Sequence, residues 1–388
     1  MDVSEQVARV DEATVSTVAR RLLGRPTAEV VRWEARVAYG GFGVVAGTNC
    51  VLRVCGEAAD GGGTWPWSAY VKITRVPPPD ARQAHNPTEN GYWRREIDTY
   101  ESGLLRELPE GLAAPRCYAV VGAGEYAQLW LEDVPEDDAP WSMARFALAA
   151  RQLGRFNGQY LARRRLPTYP WLSRTFLRSR AEHRAPFWAR LDALRAHPHF
   201  AAVLPGDTAD RARALFAERQ TFLDALDRLP QTLVHQDAYH RNLIARAGAT
   251  GRPETVAIDW AWTGLAGVGA EAAPLVCGDV VWGNGVGAED LPALDEHVFG
   301  GYLDGLRDAG WRGDGRLARL GYAASAGLRY GPLFGLAQLA TSADAQQRAA
   351  LARSVGQPFE EHVARYGRML PFLLDRADEA RQLLTALA

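Results

Sequence analysis

Lysine is all but missing from this chain of 388 residues: of 44 basic side chains, one is lysine (Lys72) and the other 43 are arginine. A chain that meets nearly every need for positive charge with a planar guanidinium marks Lys72 as a position that requires a compact ammonium. Cysteine is scarce too. Cys50, Cys55, Cys117 and Cys277 are too few in so long a chain for a disulfide scaffold. With no C-x-x-C pair and no clustered histidines they form neither a redox motif nor a zinc site, and they read as small buried hydrophobes. No apolar run approaches the ~20 residues needed to span a bilayer. The opening Met-Asp-Val-Ser-Glu-Gln lacks the basic and apolar segments of a secretory signal, so the expected location is cytoplasmic, with no membrane partner. Neither sign of charge dominates: the formal net charge is -2 and no basic stripe appears, which excludes nucleic acid as an expected partner.

What the chain does have is apolar surface, 47% of its residues, and length enough for two lobes. Residues 3–23 read as an amphipathic helix closed by Leu23-Gly24 and packed on the first lobe. Residues 29–39 and 44–54 read as strands flanking Gly40-Gly41-Phe42-Gly43, which is hairpin punctuation. A Gly-rich loop over 56–65 precedes a strand over 68–73 that carries Lys72. Pro77-Pro78-Pro79 then breaks the chain. Trp93, Ile97, Tyr100 and Leu104 recur at helical spacing over 92–108, with Glu96 beside the apolar face. Strands over 115–121 and 125–131 lead to an acidic, Pro/Asp-rich linker over 135–142. From Trp141 onward the pattern is mainly helical: 143–163, 173–196, 207–228, 291–308, 316–339 and 357–387.

The chemistry concentrates in residues 231–262. A short apolar run, Leu233-Val234, ends in His235 and Asp237, and Asn242 follows Asp237 by five positions. A second run, Val256-Ala257-Ile258, ends in Asp259. Two strands joined by a turn at 248–253 would set these polar groups side by side at one rim of a buried ribbon. Two carboxylates and an amide suit Mg²⁺, which takes hard oxygen ligands, together with a phosphoryl donor. The remaining carboxylate is then free to orient an acceptor hydroxyl.

His235-x-Asp237-x-x-x-x-Asn242 followed by Ile258-Asp259 resembles the catalytic loop and metal-binding aspartate of the protein-kinase-like superfamily, most of all its aminoglycoside phosphotransferase and choline kinase branch. The resemblance spans about residues 30–340. It implies a bilobal α+β fold. An N-lobe over 1–132 would hold a small antiparallel sheet and a C-lobe over 133–388 would be mostly helical. It implies ATP and Mg²⁺ as cofactors and a small-molecule hydroxyl on a sugar, amino sugar or amino alcohol as acceptor. Asp237 becomes the catalytic base, His235 its structural support, and Asn242 and Asp259 the metal ligands. Val71-Lys72-Ile73 resembles the strand whose lysine contacts the α/β-phosphates, and Glu96 the glutamate that pairs with it, with Glu101 as the alternative. Leu131 to Asp133 resemble the hinge whose backbone meets adenine. Gly41 and Gly43 lie where backbone N–H groups would cover phosphates, although the pattern departs from G-x-G-x-x-G and suits an ordinary hairpin as well. Gln236 stands where phosphotransferases commonly have glycine and regulated protein kinases have arginine. Trp260 and Trp262 either stack on an acceptor or belong to the core. Acids and arginines are balanced over 355–388, which argues against a site built for a polycation. Two other readings stay open. One is phosphorylation of a peptide Ser or Thr during ribosomal-peptide modification, which would bring a protein partner. The other is a kinase-like module that binds nucleotide without turnover.

Overall fold

A computed structural model describes residues 7–39, 48–135, 139–188, 203–204, 206–248, 251–282, 285–336, 339 and 344–387. Gly41 and Gly43 lie outside the described residues. The chain forms two compact units. The first is Met1–Leu108, Ala113–Glu136 and Val256–Ala261; the second is Pro109–Leu112, Asp137–Thr255 and Trp262–Ala388.

In the first unit, α1 (Glu12–Leu23) starts at Asp11, whose side chain accepts the Thr14 N–H at 2.8 Å, and stops at Gly24 in the left-handed region at φ 64°. Strands β1 (Glu29–Tyr39), β2 (Thr48–Asp60) and β3 (Gly63–Arg75) follow, then α2 (Arg95–Glu101), β4 (Cys117–Ala123) and β5 (Tyr126–Glu132). They make one antiparallel sheet in the order β1-β2-β3-β5-β4. Strict alternation on β3 buries Trp67, Ala69, Val71 and Ile73 on one face, in a core with Val15, Val18 and Ala19 of α1. The opposite face of β3 therefore carries Ser68, Tyr70 and Lys72. The loop expected over 56–65 is instead a long hairpin. The polar residues there lie on paired strands, and only Gly61-Gly62 turn the chain, with Asp60 accepting the Gly62 N–H at 2.9 Å. The helix expected over 92–108 is shortened to α2, because Gly103 at φ 79° interrupts it before a 3₁₀ turn at Leu104–Glu107.

The second unit is mainly helical: α3 (Met143–Ala162), α4 (Phe176–Trp188), two further helices at Thr208–Ala217 and Arg219–Arg228, then strands β6 (Gln231–Val234), β7 (Leu243–Ala247), β8 (Pro253–Ala257) and β9 (Gly264–Gly267). The last residues of β8 belong to the first unit. Helices α5 (Ala272–Trp282), α6 (Leu291–Asp308), α7 (Gly315–Leu328) and α8 (Phe359–Leu387) complete it. The single ribbon expected from the two apolar runs does not form. β6 pairs antiparallel with β9, Val234 opposite Gly264, whereas β8 lies beside β7. Short apolar runs specify which face is buried but not which strand is the partner. The helix expected over 316–339 changes at Arg329–Leu336 into a π-helical turn containing Pro332, which has no N–H to continue the α ladder. Helix α5, buried along nearly its whole length, escapes sequence reading because it has no polar face to give it a period. Of the cysteines, Cys50 and Cys277 are buried as expected, but Cys55 is half-buried and Cys117 exposed, all as free thiols.

Candidate active site

Two clusters carry the residues singled out from the sequence. In the first unit, the Lys72 ammonium donates to both carboxylate oxygens of Glu96, at 2.7 and 3.0 Å, and to Asp259 Oδ1 at 3.1 Å. Glu101 pairs with Arg94 instead. Glu96 Oε1 also accepts the backbone N–H of Trp260 at 3.2 Å, so the glutamate that grips the lysine also fixes the chain just after Asp259. Burial disfavours the Lys72 charge, but Asp259 and Glu96 outweigh it and hold the ammonium well above the ordinary lysine range. Burial raises Glu96 in turn, with Lys72 opposing. Asp259 adopts φ 63°, in the left-handed region that non-glycine residues avoid. Its side chain stays 42% exposed.

Of the residues expected at a hinge, Leu131 is buried opposite Tyr70, and Asp133 accepts from Arg53 at 2.7 Å. The Glu132 N–H between them donates to the Arg116 carbonyl at 2.8 Å. Tyr70 shares the Lys72 face of β3 and was not picked out in the sequence, although period-two alternation from Lys72 finds it.

In the second unit, β6 delivers His235 and Gln236 to a buried carboxylate. Glu271 accepts the His235 N–H at 2.6 Å and the Gln236 N–H at 3.0 Å, one on each oxygen. Gln236 sits at φ 70°. The Asp237 N–H donates to His235 Nδ1 at 3.2 Å, so the His235 ring presents an unprotonated Nδ1 to the loop. Asn242 Nδ2 donates to the Asp237 carbonyl at 2.9 Å and to its Oδ2 at 3.2 Å. Arg329 Nη2 donates to Asp237 Oδ1 at 2.8 Å, and Arg329 Nη1 donates to the Gln236 carbonyl. The His240 ring lies beside Trp141 and its backbone N–H donates to Asp279 at 3.1 Å, and Trp260 is fully buried with its indole N–H on the Ala257 carbonyl at 2.7 Å. Trp260 is thus core; Trp262 lies against Phe176, ring centres 5.1 Å apart.

Glu271 and Arg329 are the residues that sequence reasoning missed. Glu271 had a signal, an acid set in the apolar stretch 264–282. Arg329 lies 92 residues beyond Asp237 in a chain crowded with arginine, so nothing local distinguishes it. Burial lifts Glu271 to about 7, against the two backbone N–H donors, Asn157 and Arg329. Among the described residues no group of three or more His, Cys, Asp or Glu side chains forms a ready metal site. The Asn242 amide and the Asp259 carboxylate are hard oxygen donors, the type Mg²⁺ takes alongside phosphate oxygens and water, and neither position offers a softer ligand.

A five-stranded antiparallel sheet with a lysine–glutamate pair, and a helical unit with an H-x-D-x₄-N loop, make up a fold like that of solved aminoglycoside phosphotransferases and choline kinases. Over 96% of its length the chain matches 97% of a choline kinase from Cryptosporidium parvum, at a TM-score of 0.54 and 12% identity. It matches 90% of an aminoglycoside phosphotransferase from Alicyclobacillus acidocaldarius over 85% of its own length, at 0.50 and 16%. An amicoumacin kinase, in complex with AMP-PNP and Ca²⁺, matches at 0.48 and 17%, with 94% of this chain and 96% of that one covered. Likeness at these identities concerns the fold alone. No family model and no curated protein sequence matches the chain. No helix among the described residues is long and apolar enough to cross a membrane.

Proposed function

We propose that this protein transfers a phosphoryl group from ATP to a hydroxyl of a small molecule, within the range of sugars, amino sugars and amino alcohols. The observation that carries the reading is the chain's one lysine, bound at once by Glu96 and by Asp259, an aspartate 187 residues further along the chain. A compact ammonium held there by two carboxylates suits the non-transferred phosphates of a nucleotide, and Tyr70 on the same strand face offers an aromatic surface to a base. Asn242 and Asp259 would hold Mg²⁺. Bound together, the metal ion and nucleotide would supply the phosphoryl group and neutralise charge on it.

The chain's own part is positioning. Asp237 accepts the acceptor O–H and takes its proton. Arg329 and Asn242 fix one oxygen each, so the carboxylate cannot swing away. Glu271 fixes the loop behind it through two backbone bonds.

Paired variants test this division of labour. Asp237→Asn keeps size and loses the proton acceptor, so transfer should fall by ~10²–10⁴-fold with nucleotide affinity unchanged. Asp259→Asn should weaken nucleotide binding and its magnesium dependence together, because an anionic oxygen is lost. Equal loss of nucleotide binding in both variants would refute the assignment, as would full activity in Asp237→Asn.

A further inference from the structure

Beside the Asp237 loop the second unit encloses a cavity of about 70 Å³, between α4, the helix Arg219–Arg228, the β6–β9 pair and the end of α7. Phe176, Leu223, Leu226, Val234 and Leu265 give it apolar walls. Gln236, Glu271, Ser325 and Arg329 give it a polar part, and each of the four is more than nine-tenths buried. Asp237 is not among the lining residues, so the cavity is not the place where an acceptor hydroxyl would rest on it.

Two of the polar groups have nothing to bond. Among the described residues neither Gln236 Nε2 nor the Ser325 hydroxyl has a hydrogen-bond partner. Native interiors rarely leave such groups unpaired, and each one that is left calls for an explanation. An amide nitrogen only donates, whereas a hydroxyl both donates and accepts. The missing partner therefore carries an acceptor oxygen. Its size is bounded too. A water takes up about 30 Å³, so the space holds about two waters or one molecule of about five heavy atoms. Water is a poor match for the whole of it, because a buried water takes about three polar partners and the leucine side offers none. An alkyl group gains from that same side. Charge is disfavoured in either sign. An anion would face the Glu271 carboxyl and a cation the Arg329 guanidinium, in an interior where an added ion is costly.

We propose that this cavity binds a compact uncharged amide, its polar end on Gln236 and Ser325 and its alkyl part against Leu223, Leu226 and Leu265. Arg329 links the cavity to the catalytic loop, since it donates to the Gln236 carbonyl and to Asp237 Oδ1. A molecule seated against Gln236 and Arg329 therefore steadies the segment that carries Asp237, which makes the cavity an effector site. Binding there is independent of the kinase reading; its effect on transfer rests on that reading.

The probe is N-methylacetamide, with acetate and methylammonium as charged molecules of similar size. Saturation-transfer NMR on the full chain should show saturable binding of N-methylacetamide, with a Kd on the order of 1 mM for so few atoms. Both ions should bind at least about tenfold more weakly. Ala266 also lines the cavity, and Ala266→Leu fills it and should abolish the signal. Ser325→Ala should weaken binding by about threefold to tenfold, the scale of one hydrogen bond. Equal binding of either ion overturns the proposal, as does an undiminished signal in a folded Ala266→Leu. If Ala266→Leu does not fold, Ser325→Ala carries the test, and undiminished binding in it counts against the site. No saturable signal in the wild type would leave water as the occupant and also overturn it.

The link to the loop has its own readout. N-methylacetamide should slow backbone amide exchange across residues 231–242 in the wild type and not in Ala266→Leu. It should also change kcat for transfer while leaving the KM of ATP within about twofold. Unchanged exchange and unchanged kcat would overturn the effector role. Absence of any transfer from Mg·ATP, with amide binding intact, would sink the kinase reading and leave the cavity site standing.

Discussion

Two residues on the chemistry-bearing loops, Gln236 and Asp259, hold left-handed backbone without being glycine, at φ 70° and 63°. Such conformations cost on the order of 1–3 kcal/mol each and persist only where the surroundings impose them. At Gln236 these are the Glu271 carboxylate on its N–H and Arg329 on its carbonyl. A glycine would adopt that geometry without strain, and these bonds hold a glutamine in it instead. Glu271 also predicts a pH dependence. Burial raises its carboxyl from 4.5 to about 7 in the folded chain. A raised acid stabilises the fold fully below its unfolded value, near pH 4.5, and that increment is lost as pH climbs through about 7. Glu271→Gln cannot titrate and keeps only one of the two acceptor oxygens. Its denaturant midpoints should be lower than wild type at pH 5, with the gap narrowing toward pH 7.5. Parallel profiles would show that Glu271 does not titrate in this window.

The element that sets the second unit's geometry is the α3–α6 pair. A Cβ at Gly154 would lie 2.2 Å from the Tyr302 carbonyl oxygen, and one at Gly305 would lie 2.0 Å from that of Arg151, so the two backbones meet with no room between them. This contact reaches β6. Asn157 on α3 donates to the Leu233 carbonyl at 2.8 Å, and Tyr302 on α6 donates to Asn157 Oδ1 at 2.7 Å. Gly305→Ala should therefore destabilise by about 1–3 kcal/mol. Gly300→Ala on the same helix, where a Cβ meets nothing within 4 Å, should stabilise by about 0.5–1 kcal/mol, and chemical denaturation of the two separates close packing from helix propensity. Equal effects would refute the packing account. Some elements were legible in advance: the strand over 68–73 and the helix over 143–163. Their partners were not. β6 pairs with β9 because of what lies around it, and the turn at Arg329 depends on Pro332 and on packing that no local pattern encodes.

For the molecule as a whole, folding brings Lys72 and Asp259 together from opposite halves of the sequence. Their residue types and spacing could be read in advance because few arrangements of oxygen and ammonium groups suit this chemistry. Glu271 and Arg329 could not, since their place at the loop arises only from contact. ATP with Mg²⁺ should stabilise the whole chain by about 2.7 kcal/mol at a hundred times its Kd. Chelator should remove much of that gain, whereas equal unfolding midpoints with and without chelator would remove the metal ligands from the account. The scarcity of lysine also has a chemical consequence. Apart from the amino terminus, Lys72 is the chain's one primary amine. An acylating or reductively alkylating reagent is therefore confined by composition to a single interior address, and modification there reports directly on the site. Glu96 and Asp259 keep that amine protonated, and so poorly nucleophilic, for as long as they surround it. Its reactivity is thus a gauge of whether the ion cluster is intact, readable as a mass increment on one peptide.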